Sequence, residues 1–547
     1  MTTAIREAIS DFKRVKNEPL LMLTILCIVL ATFTFVLWPL IKVVTFPTID
    51  DYMNFFRVQR WYYAGLHSLY MTFISTISCT IIAFIFAYTI VRLDVPFKRL
   101  FRFITVLPIV SPPFIIALSY ILLFGGQGII TKHLLNIKVD IYGWQGLWLV
   151  QTITFFPYAY AVIYGVLRAI STNLEYAAFN LGASPWQVFR DVIFPLCRPG
   201  VAGGALVVAI NVLADFGNPL LIAGNFYTLP TEAYMQIAGW YNLPTASVLA
   251  TALLLPAVTI FFLQRYWVGR RSYVTITGKE IDLAFSKTPS LVKWLLFSVC
   301  LAVTTVVILV YGVLVIGAFS QAWGYNWALT LKNFRYMLAR FVEIYNSLKF
   351  AFLSSLLAAS FSMVLAYIVQ KKQIGINRFL DFLGILPGAI PGLFLGIGFI
   401  MAFNEKPLAL TGTGLIIVLG LAFWNIPTCY SSSLAGLQQI GNSVEEAALN
   451  LGANNFRSFK DIILPLLQVP FLSGFAVSFL RAITNLSVVI FLVSPRTVVG
   501  TISILGLVQN GVWGSAAAFT VTLITIAFVV LGIAQLIMKK TGKSLDI

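Results

Sequence analysis

Residues 20–43 read LLMLTILCIVLATFTFVLWPLIKV, an apolar run with a single charged residue, Lys42. Its length matches the about 20 residues that a helix needs to cross the hydrocarbon core of a bilayer. Eleven further runs follow, at about 66–91, 101–124, 144–167, 199–224, 246–268, 291–318, 347–370, 379–403, 413–436, 469–493 and 514–538. The sequence therefore predicts an all-α integral membrane protein with about twelve transmembrane helices.

Composition agrees with a lipid-embedded chain. Of the 547 residues, 59% are hydrophobic and only 10% are charged, whereas about a quarter of the residues in a soluble protein are charged. The net charge of +17 raises the possibility of nucleic-acid binding. However, most Lys and Arg residues fall in segments on the same side as the N-terminus, which is the positive-inside bias. We therefore expect cytoplasmic termini, lipid as the surrounding partner and no nucleic acid.

The chain contains an internal repeat. Ala87-Tyr88 near the end of the second run recurs as Ala366-Tyr367, 279 residues later, and further along the offset becomes 270. Because six helices separate the copies, both halves have the same orientation, which predicts a pseudo-two-fold axis along the membrane normal. The predicted organisation is a first half over residues 1–268, a cytoplasmic linker over 269–290 and a second half over 291–547.

The long loop after the fourth helix of each half carries the most distinctive pattern. Residues 175–183 read EYAAFNLGA and residues 445–453 read EEAALNLGA, inside loops at 171–195 and 441–465. Each loop predicts a short helix with an acidic first turn, a glycine stop that favours positive φ, a second short helix and a proline break. The alanines predict a face without bulk that another protein can approach closely.

This pattern resembles the EAA coupling loop of ABC importer permeases of type I, and the repeated six-helix halves resemble that family over nearly the whole chain. In that family the loop docks into a groove of the ATP-hydrolysing subunit. The resemblance assigns this contact to Glu175, Ala177, Ala178, Gly182, Pro195, Glu445, Glu446, Ala447, Ala448, Gly452 and Pro465. Of the adjacent glutamates in the second loop, the offset favours Glu445 over Glu446.

The resemblance also implies the partners. No phosphate-binding motif of the form GxxxxGK[ST] occurs, so we expect no catalytic site and no cofactor in this chain, with ATP and Mg²⁺ held by a partner. The expected assembly has two ABC ATPase subunits inside and a substrate-binding protein outside, in the bacterial inner membrane. The five cysteines form no CxxC pair, and His67 and His133 lie far apart in sequence, so we predict no metal site.

Fused permeases of this length resemble most closely the ferric-iron uptake group. The local resemblance lies in residues 214–217, 228–232 and 273–279, which read ADFG, TLPTE and YVTITGK. Related permeases for thiamine, aminoethylphosphonate and phosphorylated sugars share the arrangement. The resemblance thus implies ferric-iron import, with those substrates as alternatives.

Two charged residues lie deep in apolar runs, Asp215 in the first half and Arg481 in the second. Charges at this depth are costly and are often functional. The 270-residue offset matches Asp215 with Asn485 and Arg481 with Asn211. We hypothesise that these four side chains line the translocation path. The alternative is a structural Asp215–Arg481 pair that holds the halves together.

Prolines recur at matched positions in the third helix of each half, as Pro108 and Pro112 and as Pro387 and Pro391. Each removes a backbone hydrogen bond and favours a kink, so a swinging gate and a static packing kink are both open.

An ion-coupled secondary transporter is the rival class. It predicts more membrane-embedded carboxylates and no paired cytoplasmic loops.

Overall fold

The computed structural model describes residues 18–268, 288–372, 374–452 and 455–540. Within these ranges ten helices are long and apolar enough to cross a membrane, or twelve if each of two bent helix pairs counts as one span. The prediction of an all-α membrane protein with about twelve spans is confirmed. Most of the predicted linker (269–287) lies outside the described residues.

The helices of the first half lie close to the predicted runs. In chain order they are α1 Pro19–Thr45, α2 Ile49–Arg57, α3 Gln59–Arg92, α4 Lys98–Val110, α5 Phe114–Phe124, α6 Trp144–Ala169, α7 Thr172–Asn180, α8 Pro185–Leu213, α9 Gly217–Ile222, α10 Leu229–Ala238 and α11 Leu243–Tyr266.

The second half repeats this order and adds a small antiparallel hairpin, in which Ser320 pairs with Leu329 and Ala322 with Asn326. Its elements are α12 Ser290–Phe319, β1 Ser320–Ala322, β2 Asn326–Leu329, α13 Lys332–Ala339, α14 Phe341–Lys371, α15 Asn377–Ala389, α16 Gly392–Phe403, α17 Gly414–Gln438, α18 Asn442–Asn450, α19 Phe459–Leu466, α20 Gln468–Ile483, α21 Gly500–Gln509 and α22 Trp513–Lys540.

Several predicted spans are interrupted. The run 101–124 is divided into α4 and α5 at Ser111, and the run 379–403 bends by 105° between α15 and α16. Pro112 and Pro391 lie at these two breaks, where the missing N–H group cannot continue the helix. The runs 199–224 and 469–493 likewise end early, at Leu213 and Ile483, so continuous helices there were wrong predictions.

The chain forms two compact units that exchange the first helix of each half. Among the described residues, one unit combines those of 1–48 with those of 340–503 and 522–547, and the other combines those of 49–339 with those of 504–521. In the first unit, α1 packs on α16, where a Cβ added to Gly398 would lie 2.9 Å from the Cβ of Pro39. In the second unit, α12 packs on α5, and the Tyr311 and Ser111 hydroxyls are hydrogen-bonded.

Matched glycines allow close packing of α6 with α8 in the first half and of α17 with α20 in the second half. A Cβ on Gly204 would lie 3.2 Å from the Cα of Ala159, and one on Gly474 would lie 3.2 Å from the Cα of Cys429. One turn away, the bulky and small positions are exchanged. Gly200 faces Val166 in the first half, whereas Gly436 faces Pro470 in the second. Small residues let membrane helices approach closely. In each half, a glycine on one helix is therefore paired with a larger residue on the other.

Candidate functional site: the paired coupling loops

The first coupling loop (171–195) begins with a capped helix and ends in a continuous one. The Ser171 hydroxyl accepts a hydrogen bond from the Asn173 backbone N–H, so Ser171 is the N-cap of α7. Gly182 has φ +86° and ends this helix, as predicted. α8 then starts at Pro185, with a capping box between Ser184 and Gln187.

The predicted helix break at Pro195 was wrong. α8 runs from Pro185 to Leu213 as one helix, with Pro195 in the turn after a π-helical segment, Phe189–Ile193. A proline needs no N–H partner, and the changed hydrogen-bond register of the π turn accommodates it. In the second half Pro465 does precede a bend, of 59°, between α19 and α20.

The second coupling loop (441–465) repeats the glycine geometry. Gly452 has φ +86°, the same value as Gly182. A Cβ added at either glycine would meet no atom of the described residues within 4 Å, so the backbone conformation, rather than lack of space, favours glycine. Glu446 is exposed, whereas the side chain of Glu445 lies outside the described part of the structure.

A leucine precedes each of these glycines and stands almost free of the rest of the chain. Leu181 is 90% exposed and Leu451 is 89% exposed. Of each alanine pair, Ala177 and Ala447 are exposed, whereas Ala178 and Ala448 pack inward. Sequence reasoning missed the leucines, although their recurrence in EYAAFNLGA and EEAALNLGA was the available signal. Each loop therefore presents an apolar tip beside a small residue.

Glu175 lies in the first turn of α7, as predicted, but points inward. Its carboxylate oxygen Oε1 lies 2.8 Å from Nε of Arg92, and both residues are only 5% exposed. Burial raises the pKa of Glu175 above its usual range, while the Arg92 guanidinium acts in the opposite direction. Sequence reasoning missed this ion pair, because the two residues are separated by helices α4 to α6.

Asp215 lies at the break between α8 and α9 and is 6% exposed. Its carboxylate accepts hydrogen bonds from Gln151 Nε2 at 2.9 Å, from Asn218 Nδ2 at 3.1 Å and from the Asn218 backbone N–H at 3.3 Å. The nearby Asn211 side chain donates to the Val207 carbonyl at 2.8 Å. The Asp215 carboxylate therefore accepts from the backbone N–H of the second residue of α9, just after the break.

The matched residue Asn485 makes the equivalent side-chain hydrogen bond in the other unit. Its side-chain oxygen accepts from the Val488 backbone N–H at 2.9 Å, three residues on, as Asp215 does from Asn218. Arg481 lies one turn earlier, with its guanidinium 4.5 Å from the Trp424 ring centroid and hydrogen-bonded to the Thr428 hydroxyl. The path hypothesis for these residues stays a prediction.

The predicted gate prolines all lie at or beside helix breaks. Pro108 lies inside α4 near its end, Pro387 lies in a 3₁₀ turn at the end of α15, and Pro391 precedes α16. His67 stacks on Phe226 with ring centroids 3.9 Å apart, while His133 lies against Trp327. No group of three or more His, Cys, Asp or Glu side chains in the described ranges is placed to hold a metal ion.

Residues 80–272 and 358–543 both match the family model for the binding-protein-dependent transport system inner membrane component. These matches cover more than half of the chain, which therefore belongs to this family, with the family domain present twice. The all-α architecture and the paired halves are those of a type I ABC importer permease, a multi-pass transport subunit of the inner membrane. The prediction of this family from the coupling loops is confirmed.

Among its relatives, the chain is 31% identical over 518 residues to a putative ferric transport system permease protein FbpB 1 of Haemophilus influenzae, covering 90% of this chain and 80% of the relative. It is also 31% identical over 559 residues to the ferric transport system permease protein FbpB of Actinobacillus pleuropneumoniae, covering 97% and 80%. A molybdenum transport system permease protein ModB of Mycobacterium tuberculosis is 30% identical over 167 residues, covering 30% of this chain and 63% of the relative.

Proposed function

We propose that this chain is the permease subunit of an ATP-driven importer of ferric iron, which a binding protein delivers. The observation that carries the transport mechanism is the pair of matched loops, each with an exposed leucine tip and a positive-φ glycine. The ferric assignment is supported by the two relatives that are named for ferric transport and align over most of this chain.

The proposed energy source is a pair of ABC ATPase subunits, one for each coupling loop, which hold ATP and Mg²⁺. Closure of the ATPases moves the loops, and the loops move the helices, so that the substrate site opens alternately to each side. Both loops then face the cytoplasm, as do both termini, and the binding protein docks on the opposite side. The bias of basic residues toward the loop side supports this orientation.

The translocation path is proposed to run past Asp215, Asn211, Arg481 and Asn485, with the proline breaks as hinges of its gate. Intramembrane charges are expensive, and their position at helix breaks places polar backbone beside them. If exchanging the charges of Asp215 and Arg481 left transport at the wild-type rate, the path would be refuted. Loss of transport together with loss of folded protein would favour a structural role.

Uptake of radiolabelled ferric iron into proteoliposomes tests the function. The vesicles contain this chain with its ATPase and binding protein, and uptake is measured with and without ATP. We expect ATP-dependent uptake that is abolished by Gly182→Arg with Gly452→Arg, because a bulky side chain at each loop stop obstructs docking. The matched control is Gly412→Arg, at an open position outside both loops with a similar positive φ of +83°.

Two outcomes would overturn parts of the proposal. If a binding protein loaded with thiamine, a phosphonate or a sugar phosphate drove ATP-dependent uptake and the ferric form did not, the architecture would stand and the substrate would change. If uptake followed an ion gradient without ATP, the chain would be a secondary transporter, and the coupling loops would need another explanation.

A further inference from the structure

The last residues of α3 and α14 hold the start of each coupling loop. In the first half, the Arg92 guanidinium donates a hydrogen bond from Nη2 to the Ile170 carbonyl at 2.9 Å. In the second half, Lys371 Nζ donates to the Ile440 carbonyl at 2.7 Å. The repeat offsets match Arg92 with Lys371 and Ile170 with Ile440. A cation at the end of the long helix thus anchors the residue that enters the loop in both halves.

The same two helices also contact the end of each coupling loop. The Tyr88 ring packs against Phe189 with centroids 5.7 Å apart, and the matched Tyr367 ring packs against Phe459 at 4.7 Å. Each phenylalanine is the first residue of a π-helical turn. Such turns are rare and recur at functional sites, where they locally change the course of a helix. Each long helix therefore holds its loop at both ends.

Arg92 adds a third contact in the first half. Its Nε lies 2.8 Å from the Glu175 carboxylate, so one buried guanidinium joins both the loop entry and the first helix of the loop. A planar guanidinium can serve two acceptors at once, whereas an ammonium is a point charge. Removing one partner of such a buried pair leaves an uncompensated charge.

We propose that Arg92 and Lys371 are positioning residues that carry the movement of each coupling loop into α3 and α14. A loop held at entry and exit moves together with the helix that holds it. α3 has 34 residues and α14 has 31, so each extends about 50 Å, enough to reach the opposite side of the membrane. This inference rests on the proposed coupling to ATPase subunits and assigns the residues that transmit the movement.

The test compares Arg92→Met, Arg92→Lys and Lys371→Met in the complete complex with its ATPase and binding protein. The measurements are ATP hydrolysis with and without ferric-loaded and substrate-free binding protein, recovery of ATPase with the purified permease, and melting temperature. Arg99→Met is the matched control, because it removes an exposed cation at the start of α4, shortly after Arg92 at the end of α3.

We expect Arg92→Met and Lys371→Met to keep bound ATPase and basal hydrolysis but to lose stimulation by the binding protein about 5- to 150-fold, the range of ordinary coupling free energies. Arg92→Lys, which copies Lys371, should retain most of the stimulation, and Arg99→Met all of it.

Stimulation of Arg92→Met and Lys371→Met within twofold of wild type would overturn the inference. So would loss of folded complex in Arg92→Met and Arg92→Lys alike, since that would assign Arg92 to folding alone. Failure of ferric uptake by the wild-type complex would overturn only the substrate. For each variant, the stimulation of ATP hydrolysis by the binding protein is divided by the stimulation in the wild-type complex. The comparison is made also with substrate-free binding protein, so that it does not depend on the substrate assignment.

Discussion

The exposed leucines at the loop tips allow a quantitative prediction about ATPase binding. Leu181→Ala and Leu451→Ala each remove three carbon atoms from a side chain that is about nine-tenths exposed in this chain. Burial of each carbon in a partner groove contributes about 0.8 kcal/mol, or about 2.4 kcal/mol for each leucine. At about 1.4 kcal/mol per tenfold change, each substitution should weaken ATPase binding about 50-fold.

These substitutions should not change the stability of the folded chain. An exposed side chain contributes little to folding, so the melting temperature of either variant should stay close to that of wild type. The assay is binding of the isolated ATPase to the permease in lipid nanodiscs, measured by biolayer interferometry. Leu329→Ala is the matched control, because Leu329 is 88% exposed on strand β2, outside the coupling loops.

Two results would refute this reasoning. If both loop variants bound the ATPase with wild-type affinity, the leucine tips would not enter the partner. If Leu329→Ala weakened binding as much as the loop variants, the effect would reflect general surface hydrophobicity. An additive effect in the double variant would indicate that the two loops bind independently.

The remaining predictions concern packing, protonation and backbone conformation, each followed as a melting temperature. Gly436→Val should cost about 1–3 kcal/mol, because its Cβ would lie 2.2 Å from Pro470 Cγ, and adding Pro470→Gly should recover part of this loss. The raised pKa of Glu175 means that its protonated form favours the folded state. The stabilisation by Glu175 is complete at pH below 4.5, its ordinary pKa, and is lost as the pH rises through the raised pKa of the folded state. The melting temperature of Glu175→Gln relative to wild type should therefore increase with pH. Gly182→Ala should destabilise by about 1 kcal/mol, because its φ of +86° strains an L-residue, and Gly182→Asn should cost less; equal stability of the two would contradict the strain argument.

The internal repeat made much of the fold predictable. Runs of apolar residues located the spans, because lipid requires long stretches without charge. The offset between EYAAFNLGA and EEAALNLGA predicted equivalent glycine stops, and Gly182 and Gly452 share the same φ. Local sequence determines these features, since a helix end needs only its cap and its stop residue.

Features that depend on distant residues were not predictable from pattern alone. Nothing in the sequence near Glu175 indicates that Arg92 lies beside it. Prolines indicated that a helix would be disturbed, but the 105° bend between α15 and α16 depends on how the neighbouring helices fill the space. The exchange of α1 and α12 between units is equally invisible, because an apolar run does not specify its packing partner.

The exchange of α1 has a consequence for biosynthesis. α1 precedes all the other described helices in the chain, yet its packing partner α16 emerges about 350 residues later. At ordinary translation rates of about 5–20 residues per second, α1 waits on the order of 20–70 s in lipid without that partner. Its mean hydropathy of 2.8 and the low burial of its most apolar stretch, 22%, suit a helix that must be stable as a solitary span. The ribosome must therefore add about 350 residues after α1 before this helix can pack against α16.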